Sequence, residues 1–344
     1  MKAGLRPETI LTVRQCNERR VKIVRIIVIG AGNWGTTLAK IFAGTSEVVL
    51  CTHSVEHADE INSLHENQRF LSGVRLPETL VALPFSECLF QPDDLAVLAV
   101  PSRALPDLVT GLRSRLQGNP LVCATKGFQH ASFKTMGQLV RETIPESPLI
   151  VLSGPNIARE LAAGLPSKAV LASHDLTALT RTARVLRNDT LIFELSRDVD
   201  GVELCAALKG VIAVGVGIAD GLALGDNMTA LLMTYGLREF VEIAEFLEIR
   251  HKTIYGIAGL GDLVTTCISP NSRNRRFGRL LGQGVQTADA LLQVGMVVEG
   301  VQMARTIVEM GDLNISIPLF STIARAIFGD NQALREEFIA CLMN

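Results

Sequence analysis

Val24–Thr36 reads Val-Arg-Ile-Ile-Val-Ile-Gly-Ala-Gly-Asn-Trp-Gly-Thr, a run of strand-forming residues that leads directly into three spaced glycines. The β-branched run Ile26–Ile29 is typical of a strand that a parallel sheet covers on both faces. Gly30 suits a tight turn, Gly32 would let a pyrophosphate approach the backbone, and Gly35 would let the next helix pack closely on the strand. The free N–H groups at the start of that helix would face the phosphates. The stretch therefore predicts a strand–turn–helix unit that binds a dinucleotide.

The composition of the 344-residue chain is that of an ordinary globular protein. Its length favours two domains, and its 48% of hydrophobic and 20% of charged residues provide ample material for a core. The net charge of −2 indicates no broad positive field, so we expect no nucleic-acid partner. A small anionic substrate would need a local cluster of cations instead.

The seven cysteines and six histidines are scattered, without close pairs or metal-ligand spacing. We therefore expect neither a disulfide framework nor a metal site, and the pattern suits a reducing cytoplasm. The most apolar window, Val211–Ala219, is too short to span a bilayer, so no membrane insertion is expected. Residues 1–23 form a predicted basic N-terminal tail that lacks the apolar core of a secretory signal peptide.

The chain divides into two parts by pattern. Residues 24–198 alternate short apolar runs with helical stretches, which predicts an α/β domain with a doubly wound parallel sheet of the Rossmann kind. After the first strand, further strands are predicted at Val48–Leu50, Leu95–Val100, Leu121–Ala124 and Leu149–Leu152. Residues 199–344 carry apolar residues at helical spacing, which predicts a mostly helical second domain. Because ligands gather beyond the carboxyl ends of parallel strands, we expect chemistry where these strands end.

Two lysines are candidates for that chemistry. Lys126 follows a predicted strand in Ala-Thr-Lys-Gly, where it either reaches a phosphate or carbonyl group or is a solvated loop residue. Lys209 lies in an apolar helical stretch, where a cation is costly unless it is paired or faces a polar cavity. Burial would lower its pKa towards the range of a useful proton donor, whereas the alternative is a lysine that snorkels from a helix end. Glu203 is not on the same helical face and is not the expected partner.

Three further features of the second half have two interpretations each. Ser272–Arg276 reads Ser-Arg-Asn-Arg-Arg, which is either an anion-binding cluster at a helix start or a solvated basic turn. Asp262, after Gly-Leu-Gly, either caps a helix or holds a catalytic cation. Glu299 either accepts a hydrogen bond from a cofactor or simply begins a helix.

Eight motifs occur in one order along the chain. They are Gly-Ala-Gly-Asn-Trp-Gly-Thr at 30–36, Val-Pro-Ser at 100–102, Ala-Thr-Lys-Gly at 124–127, Ser-Gly-Pro at 153–155, Glu-Leu-Ala-Ala-Gly-Leu-Pro at 160–166, Gly-Leu-Gly-Asp-Leu at 259–263, Ser-Arg-Asn-Arg-Arg-Phe-Gly at 272–278 and Val-Val-Glu-Gly at 297–300. Together they make the chain resemble the NAD(P)-dependent glycerol-3-phosphate dehydrogenase family, bacterial type.

The resemblance implies a Rossmann domain followed by an all-helical substrate and dimerisation domain, usually in a homodimer. It implies reduction of dihydroxyacetone phosphate to sn-glycerol 3-phosphate with NAD or NADP, which supplies phospholipid synthesis. It also implies that Lys209 is the catalytic acid/base, assisted by Lys126, which faces both cofactor and substrate. Implied positions on the substrate side are Gly154, Asn156, Asp262, Ser272, Arg273 and Asn274. Implied positions on the cofactor side are Gly30, Gly32, Asn33, Trp34, Gly35, His53, Ala158, Arg273 and Glu299.

Two positions depart from the family's usual pattern. Gly210 stands where the family usually has Asn, so an amide is missing next to Lys209. Asn156 stands where Ser or Thr is common, and it keeps donor and acceptor capacity. The second predicted strand runs out at His53 without an acidic residue, so NADP is allowed as well as NAD.

Two other functions stay open at this point. A hydroxyacid dehydrogenase of the 6-phosphogluconate dehydrogenase type has a related two-domain build and also a helical lysine, but the Ser-Arg-Asn-Arg-Arg-Phe cluster and Ala-Thr-Lys-Gly argue against it. A non-catalytic sensor or scaffold would bind the cofactor without turning over any phosphorylated ketone.

Overall fold

The computed structural model describes residues 25–129, 134–249, 251–309, 315–329 and 333–343. The predicted basic tail, residues 1–23, lies outside the described residues. A sheet with flanking helices occupies the first part of the described chain, and helices alone occupy the second part.

The described strands form one sheet. They are β1 (Ile26–Ile29), β2 (Val48–Thr52), β3 (Val81–Pro84), β4 (Leu95–Leu98), β5 (Leu121–Cys123), β6 (Leu149–Ser153), β7 (Ser167–Ala172) and β8 (Leu191–Ser196). Their order is β3-β2-β1-β4-β5-β6-β7-β8. The chain therefore winds outward in both directions from β1 and β4, which creates a crevice beyond the carboxyl ends of these two strands. The predicted doubly wound architecture is confirmed.

The sheet differs from the prediction in one pairing and in three strands. β7 runs antiparallel to β6, so the sheet is mostly rather than wholly parallel. β3, β7 and β8 are not predicted, because their apolar runs are short: β3 ends at a proline, and β7 and β8 contain the charged residues Lys168 and Glu194. β3 begins with exposed Val81 and ends at Pro84, and β8 exposes Ile192 at the sheet edge.

Helices cover both faces of the sheet. They are α1 (Asn33–Phe42), α2 (Val55–Leu64), α3 (Leu105–Arg113), α4 (Met136–Thr143), α5 (Ala158–Ala162) and α6 (Leu176–Val185). Alternate residues of β1 belong to different apolar clusters: Val28 packs in the cluster that contains Phe42 of α1, and Ile27 packs in the cluster that contains Leu112 of α3. Both faces of the central strand are therefore buried, as its sequence predicts.

The second part of the described chain is helical, as predicted. Its α-helices are α7 (Val199–Gly221), α8 (Gly225–Phe246), α9 (Asp262–Ile268), α10 (Arg273–Gly282), α11 (Thr287–Val294), α12 (Glu299–Glu309), α13 (Pro318–Phe328) and α14 (Leu334–Met343). α8, α9, α10, α12 and α13 all pack against α7, which makes α7 the central helix of this part.

α7 is apolar on nearly every side and extends well beyond the predicted apolar window Val211–Ala219. Its length and composition would allow it to cross a membrane, with a mean hydropathy of 1.9, but 94% of its most apolar window is buried inside the protein. The neighbouring α10 packs closely because Gly217 faces the carbonyl oxygen of Arg275, where a Cβ atom would collide. α7 is therefore a core helix.

Cys51 and Cys88 form a disulfide, so the expectation that the scattered cysteines provide no disulfide framework is wrong for this pair. Cys51 lies in β2 and Cys88 lies just after β3, which pairs with β2. The two Cα atoms are 6.6 Å apart, within the span of a disulfide. Strand pairing brings them together across a sequence separation of 37 residues, so their spacing in the sequence does not predict the pair.

Candidate active site

The glycine-rich turn follows β1 at the carboxyl edge of the sheet. Gly30 has φ +112°, and a Cβ atom there would lie 2.6 Å from the carbonyl oxygen of Ala99. A Cβ atom on Gly35 would collide with the carbonyl oxygen of Gly30. Among the described residues, no atom lies within 4 Å of the Cβ position of Gly32, so its backbone is open. Gly30 and Gly35 are therefore required for the turn and for close helix packing, and Gly32 leaves space for a ligand.

The start of α1 has polar groups without partners. Gly32 is the N-cap, and it has no side chain that could accept hydrogen bonds from the first N–H groups of α1. Within the described residues, Oδ1 of Asn33 and Nε1 of Trp34 are buried without a hydrogen-bond partner. Buried polar atoms in proteins are normally satisfied, so these groups fit a polar ligand that approaches the helix N-terminus.

Asn67 supports this turn, a role that the sequence does not predict. Its buried Nδ2 atom donates to the carbonyl oxygen of Ala31 at 2.8 Å and to Oγ1 of Thr36 at 2.8 Å. Its Oδ1 atom lies 3.1 Å from Nε2 of His57. A lone Asn far along the chain gives no signal of such a role, because only the fold brings it under the turn.

Two other predicted cofactor positions lie near α1 and β2. His53 directly follows β2 and is exposed, and the next residue, Ser54, is the N-cap of α2. Ala158 begins α5, and its carbonyl oxygen accepts a hydrogen bond from Oγ1 of Thr37 in α1 at 3.3 Å. Ala158 therefore lies against the helix that follows the glycine-rich turn.

Three charged side chains from distant parts of the chain meet beyond β5. Lys126 follows this strand, Lys209 lies within α7, and Asp262 begins α9. Nζ of Lys126 donates to Oδ2 of Asp262 at 3.0 Å, and Nζ of Lys209 contacts Oδ1 of the same carboxylate. The side chains are 16%, 12% and 2% exposed, respectively. Asp262 therefore holds two cations, and Lys209 is paired rather than extended into solvent.

The pKa values in this cluster diverge. Burial lowers the pKa of Lys209 to about 8; Asp262 opposes this shift and the Lys126 ammonium adds to it. Burial disfavours the charge of Lys126 too, but Asp262 raises its pKa above the ordinary value. Burial likewise opposes ionisation of Asp262, yet the two ammonium groups hold its pKa below the usual range. At neutral pH the cluster is therefore positive overall, and Lys209 is the group that releases a proton most readily.

The predicted anion cluster begins α10. Ser272 is its N-cap and accepts a hydrogen bond from the backbone N–H of Arg275 at 3.3 Å. Arg275 is bound to Asp220, with Nε 2.6 Å from Oδ2, and Arg276 donates to a main-chain carbonyl of α11. Arg273 is exposed and has no hydrogen bond or ion pair within the part of the chain that the structure describes. Of these three arginines, Arg273 is therefore the one available to a ligand.

The packing around Asn274 accounts for the glycine at position 210, next to Lys209, where the family usually has Asn. Oδ1 of Asn274 accepts the backbone N–H of Gly300 at 3.0 Å. A Cβ atom on Gly210 would lie 3.1 Å from Nδ2 of Asn274 and 3.2 Å from the nitrogen of Gly300. The Asn274 amide and the start of α12 thus occupy the space that a side chain at 210 would need. Burial lowers the pKa of Lys126, Asp262 raises it, and the charge of Glu299, also at the start of α12, makes a smaller contribution to the raising.

The segment after β6 carries the other predicted substrate positions. Gly154 has φ +142°, and a Cβ atom there would lie 3.0 Å from Cα of Ala169. In Asn156, both Nδ2 and Oδ1 are buried without partners among the described residues. The amide of Asn156 is therefore free to bind a ligand. No hydrogen bond or ion pair joins Asn156 or Arg273 to the lysine–aspartate cluster in the described residues.

A cavity lies between the sheet and α12. Its wall includes Ser102 and Lys126 from the sheet side and Glu299 and Gln302 from α12. Oγ of Ser102 donates to Oε1 of Gln302 at 2.9 Å and so joins the two sides. Gln302 was not predicted, because an exposed helical Gln has no distinguishing pattern. Among the described residues, no group of three His, Cys, Asp or Glu side chains could hold a metal ion.

Comparisons with known proteins extend over nearly the whole chain. Residues 25–179 match the N-terminal part of NAD-dependent glycerol-3-phosphate dehydrogenase, and residues 198–336 match its C-terminal part. The chain is 38% identical over 320 residues to the glycerol-3-phosphate dehydrogenase, NAD(P)+, of Halorhodospira halophila, covering 90% of this chain and 95% of that protein. It is 39% identical over 315 residues to the protein of the same name from Nitrosomonas europaea, covering 89% and 93%.

A solved structure gives the same result. The crystal structure of glycerol-3-phosphate dehydrogenase from Coxiella burnetii superposes with a TM-score of 0.87 at 31% identity, covering 93% of this chain and 99% of that one. Sequence and fold thus agree from the glycine-rich turn to the helical part. The chain belongs to the NAD-dependent glycerol-3-phosphate dehydrogenase family.

Proposed function

We propose that this protein reduces dihydroxyacetone phosphate to sn-glycerol 3-phosphate with NADH or NADPH and also catalyses the reverse reaction. The observation that carries the proposal is the buried contact of Lys126 and Lys209 with Asp262, beyond the carboxyl end of β5. Membership of the family, and the names of relatives that cover nearly the same length, support the same substrate pair.

The residues at the glycine-rich turn fit a nicotinamide dinucleotide. The open backbone at Gly32 and the uncapped start of α1 suit a pyrophosphate. The unpartnered polar atoms of Asn33 and Trp34 can form hydrogen bonds with adjacent polar atoms of the dinucleotide. His53 suits the adenosine ribose and, unlike an acidic residue, does not repel a 2′-phosphate, which admits either cofactor. When bound, the reduced nicotinamide supplies a hydride to the ketone carbon.

Lys209 is the proton donor in this proposal. Negative charge develops on the carbonyl oxygen during reduction, and an ammonium group both stabilises that charge and supplies the proton. A pKa of about 8 keeps Lys209 protonated at neutral pH while weakening its hold on the proton. Lys126 keeps its charge and adds electrostatic stabilisation, and Asp262 fixes both side chains and offsets the cost of burying them.

The substrate phosphate binds at the start of α10. Arg273 has no partner among the described residues, and Ser272 places the helix N-terminus beside it. A guanidinium group can bind two phosphate oxygens at once, and helix N–H groups add donors. Asn274 and the free amide of Asn156 supply polar contacts to the remaining oxygens, and Gly154 permits close approach of the backbone.

The domain organisation and the cellular setting follow the pattern of the family. Residues 24–198 form the dinucleotide-binding domain and residues 199–344 the substrate and dimerisation domain, a division that the two family matches support. The protein works as a homodimer in the cytoplasm, and its product supplies glycerophospholipid synthesis, which is the usual setting of this family.

The decisive experiment follows NADH and NADPH oxidation by the loss of nicotinamide absorbance in the presence of dihydroxyacetone phosphate. We expect rapid oxidation that depends on this substrate, and the ratio of rates decides the cofactor preference. The control substrate is 6-phosphogluconate with the oxidised cofactors, for which we expect no turnover. Cofactor binding without turnover of any phosphorylated ketone would instead identify a sensor or scaffold.

A further inference from the structure

A buried glutamate with no part in the proposed chemistry contacts the start of α4. Glu203 lies on α7, before Lys209 on the same helix, and is 5% exposed. Its Oε2 atom accepts a hydrogen bond from Oγ1 of Thr135 at 2.7 Å, and its Oε1 atom accepts one from the backbone N–H of Gly137 at 2.6 Å. Glu203 therefore fixes the first turn of α4 to the helix that carries Lys209.

The first turn of α4 is also attached to the residue after Lys126. The backbone N–H of Met136 donates to the carbonyl oxygen of Gly127 at 3.2 Å. Phe128 and Thr135 form an antiparallel β-bridge next to it. A displacement of the start of α4 would therefore be transmitted to Gly127 and to the adjacent Lys126.

The local sequence is adapted to this contact. A Cβ atom on residue 137 would lie 2.7 Å from both carboxylate oxygens of Glu203, so only Gly137 leaves room for them. Thr135 and Gln138 already form a capping box at this helix start. The buried carboxylate is therefore additional to the helix's own cap, and it joins α4 to α7.

We infer that Glu203 is a positioning residue that keeps the Lys126 ammonium against Asp262, by fixing the start of α4 to the helix that carries Lys209. The inference rests on the proposed function, because it assigns Lys126 and Lys209 to one catalytic cluster. With Lys126 in place, its charge lowers the pKa of Lys209, in addition to the lowering by burial and against the opposing effect of Asp262.

Among the described residues, three groups interact electrostatically with Glu203. Asp200 on α7, Arg141 on α4 and the thiol of Cys123 on β5 are the groups that interact with it electrostatically. Burial raises the pKa of Glu203 to about 7, and the hydrogen bonds from Thr135 and Gly137 oppose that shift. Measurements at pH 8 and above therefore examine the ionised carboxylate.

The test is the pH dependence of kcat for dihydroxyacetone phosphate in Glu203→Gln, an isosteric change that cannot accept both hydrogen bonds. We expect kcat to fall roughly tenfold or more, because small misplacements of catalytic groups are costly. We expect the decline of kcat on the alkaline side, near pH 8 in the wild type, to move to higher pH, because a displaced Lys126 no longer lowers the pKa of Lys209. Loss of the Glu203 charge alone would act in the opposite direction.

Glu239→Gln is the matched control. Glu239 is also buried, accepts the backbone N–H groups of Leu319 at 2.6 Å and Phe320 at 2.8 Å, and has a pKa that burial raises to about 7. It contacts the start of α13 instead of α4, so we expect wild-type kcat and an unchanged alkaline limb. Gly137→Ala, which displaces the Glu203 carboxylate without removing its charge, should reproduce the kinetics of Glu203→Gln. Wild-type kinetics in Glu203→Gln, or the same change in Glu239→Gln, would overturn the inference.

A second readout needs no turnover. The pKa of Lys209 is measured by NMR titration of carbon-13-methylated lysines, with the Lys209→Arg variant to assign the signal. If the wild type fails to reduce dihydroxyacetone phosphate, the proposed function is wrong, and this titration still decides the inference. A higher pKa of Lys209 in Glu203→Gln than in the wild type supports it, and an unchanged pKa refutes it.

Discussion

Oδ2 of Asp262 lies 3.0 Å from Nζ of Lys126, and the other oxygen of this carboxylate contacts Lys209. One buried carboxylate thus holds two ammonium groups that would otherwise repel each other. Removing one member of a buried ion pair leaves an uncompensated charge, so each of the three side chains depends on the other two.

Neutralising Asp262 should therefore cost both stability and activity. In Asp262→Asn we expect a loss of roughly 3–5 kcal/mol in the free energy of unfolding, typical of a broken buried pair. Because Asp262 raises the pKa of Lys209 against the effect of burial, the alkaline limb of kcat should move below pH 8. Denaturant unfolding and a pH–rate profile measure the two effects. Asp220→Asn, which removes the partner of Arg275, is the control and should leave the profile in place.

Lys209→Ala should abolish turnover while largely sparing cofactor affinity. Loss of a general acid typically slows a reaction by on the order of a hundredfold or more. The chain has a single tryptophan, Trp34, which lies in the glycine-rich turn, so energy transfer from this residue to NADH reports binding without turnover. The control is Lys168→Ala, because Lys168 is a half-exposed lysine outside the proposed site. A Lys209→Ala enzyme with a near-normal rate would end the assignment of the proton donor.

Arg273→Ala should raise the KM for dihydroxyacetone phosphate. Loss of a charged hydrogen bond to the phosphate corresponds to an increase of roughly tenfold to a hundredfold, with a smaller effect on kcat. Arg276→Ala is the matched control, because it removes an arginine from the same helical turn that is already bound to a main-chain carbonyl. An unchanged KM in Arg273→Ala would refute the phosphate role.

Gly300→Ala tests the contact between α7 and α12, and Gly111→Ala in α3 is its control. In Gly300→Ala the new Cβ atom would lie 2.5 Å from the carbonyl oxygen of Gly210, so we expect a loss of about 1–3 kcal/mol and a raised KM for the cofactor. In Gly111→Ala, within α3, no atom lies within 4 Å of the new Cβ, so we expect a gain of about 0.5–1 kcal/mol. Denaturant unfolding of both variants measures whether the free energy of unfolding falls in Gly300→Ala and rises in Gly111→Ala.

Glu239 should make stability fall as pH rises. Its folded-state pKa, about 7, is above the ordinary value of 4.5, so between these values the folded protein binds more protons than the unfolded chain. Stability from the protonated form is complete below pH 4.5 and is lost as pH rises to 7. Compared with Glu239→Gln, the wild type should lose on the order of a few kcal/mol between pH 5 and pH 8. A stability difference between the two proteins that is independent of pH would contradict this.

Much of the fold could be predicted because buried parallel strands are continuous apolar runs. Ile26–Ile29 and Leu149–Ser153 stand out for this reason. Ser167–Ala172 begins with two polar residues, and its antiparallel direction depends on tertiary pairing rather than on local pattern. The disulfide between Cys51 and Cys88 depends on strand pairing in the same way.

The candidate site likewise has residues that the local sequence pattern predicts and residues that only tertiary packing brings into place. Lys209 could be singled out because a cation in an apolar helix demands a partner. The sequence offered Asp262 as the holder of a catalytic cation, but it could not decide between that role and a helix cap. Asp262 is brought to Lys126 and Lys209 only by the packing of α9 on α7. Asn67 and Glu203 were not assigned roles, because their importance lies in contacts with backbone groups far along the chain.

The helix that carries Lys209 is also the helix on which most of the second half of the protein is assembled. The helix is buried along nearly its whole length, so it cannot unfold locally without exposing the core. Heat inactivation should therefore coincide with cooperative unfolding of the helical second half, because Lys209 cannot be displaced without disrupting the core around α7.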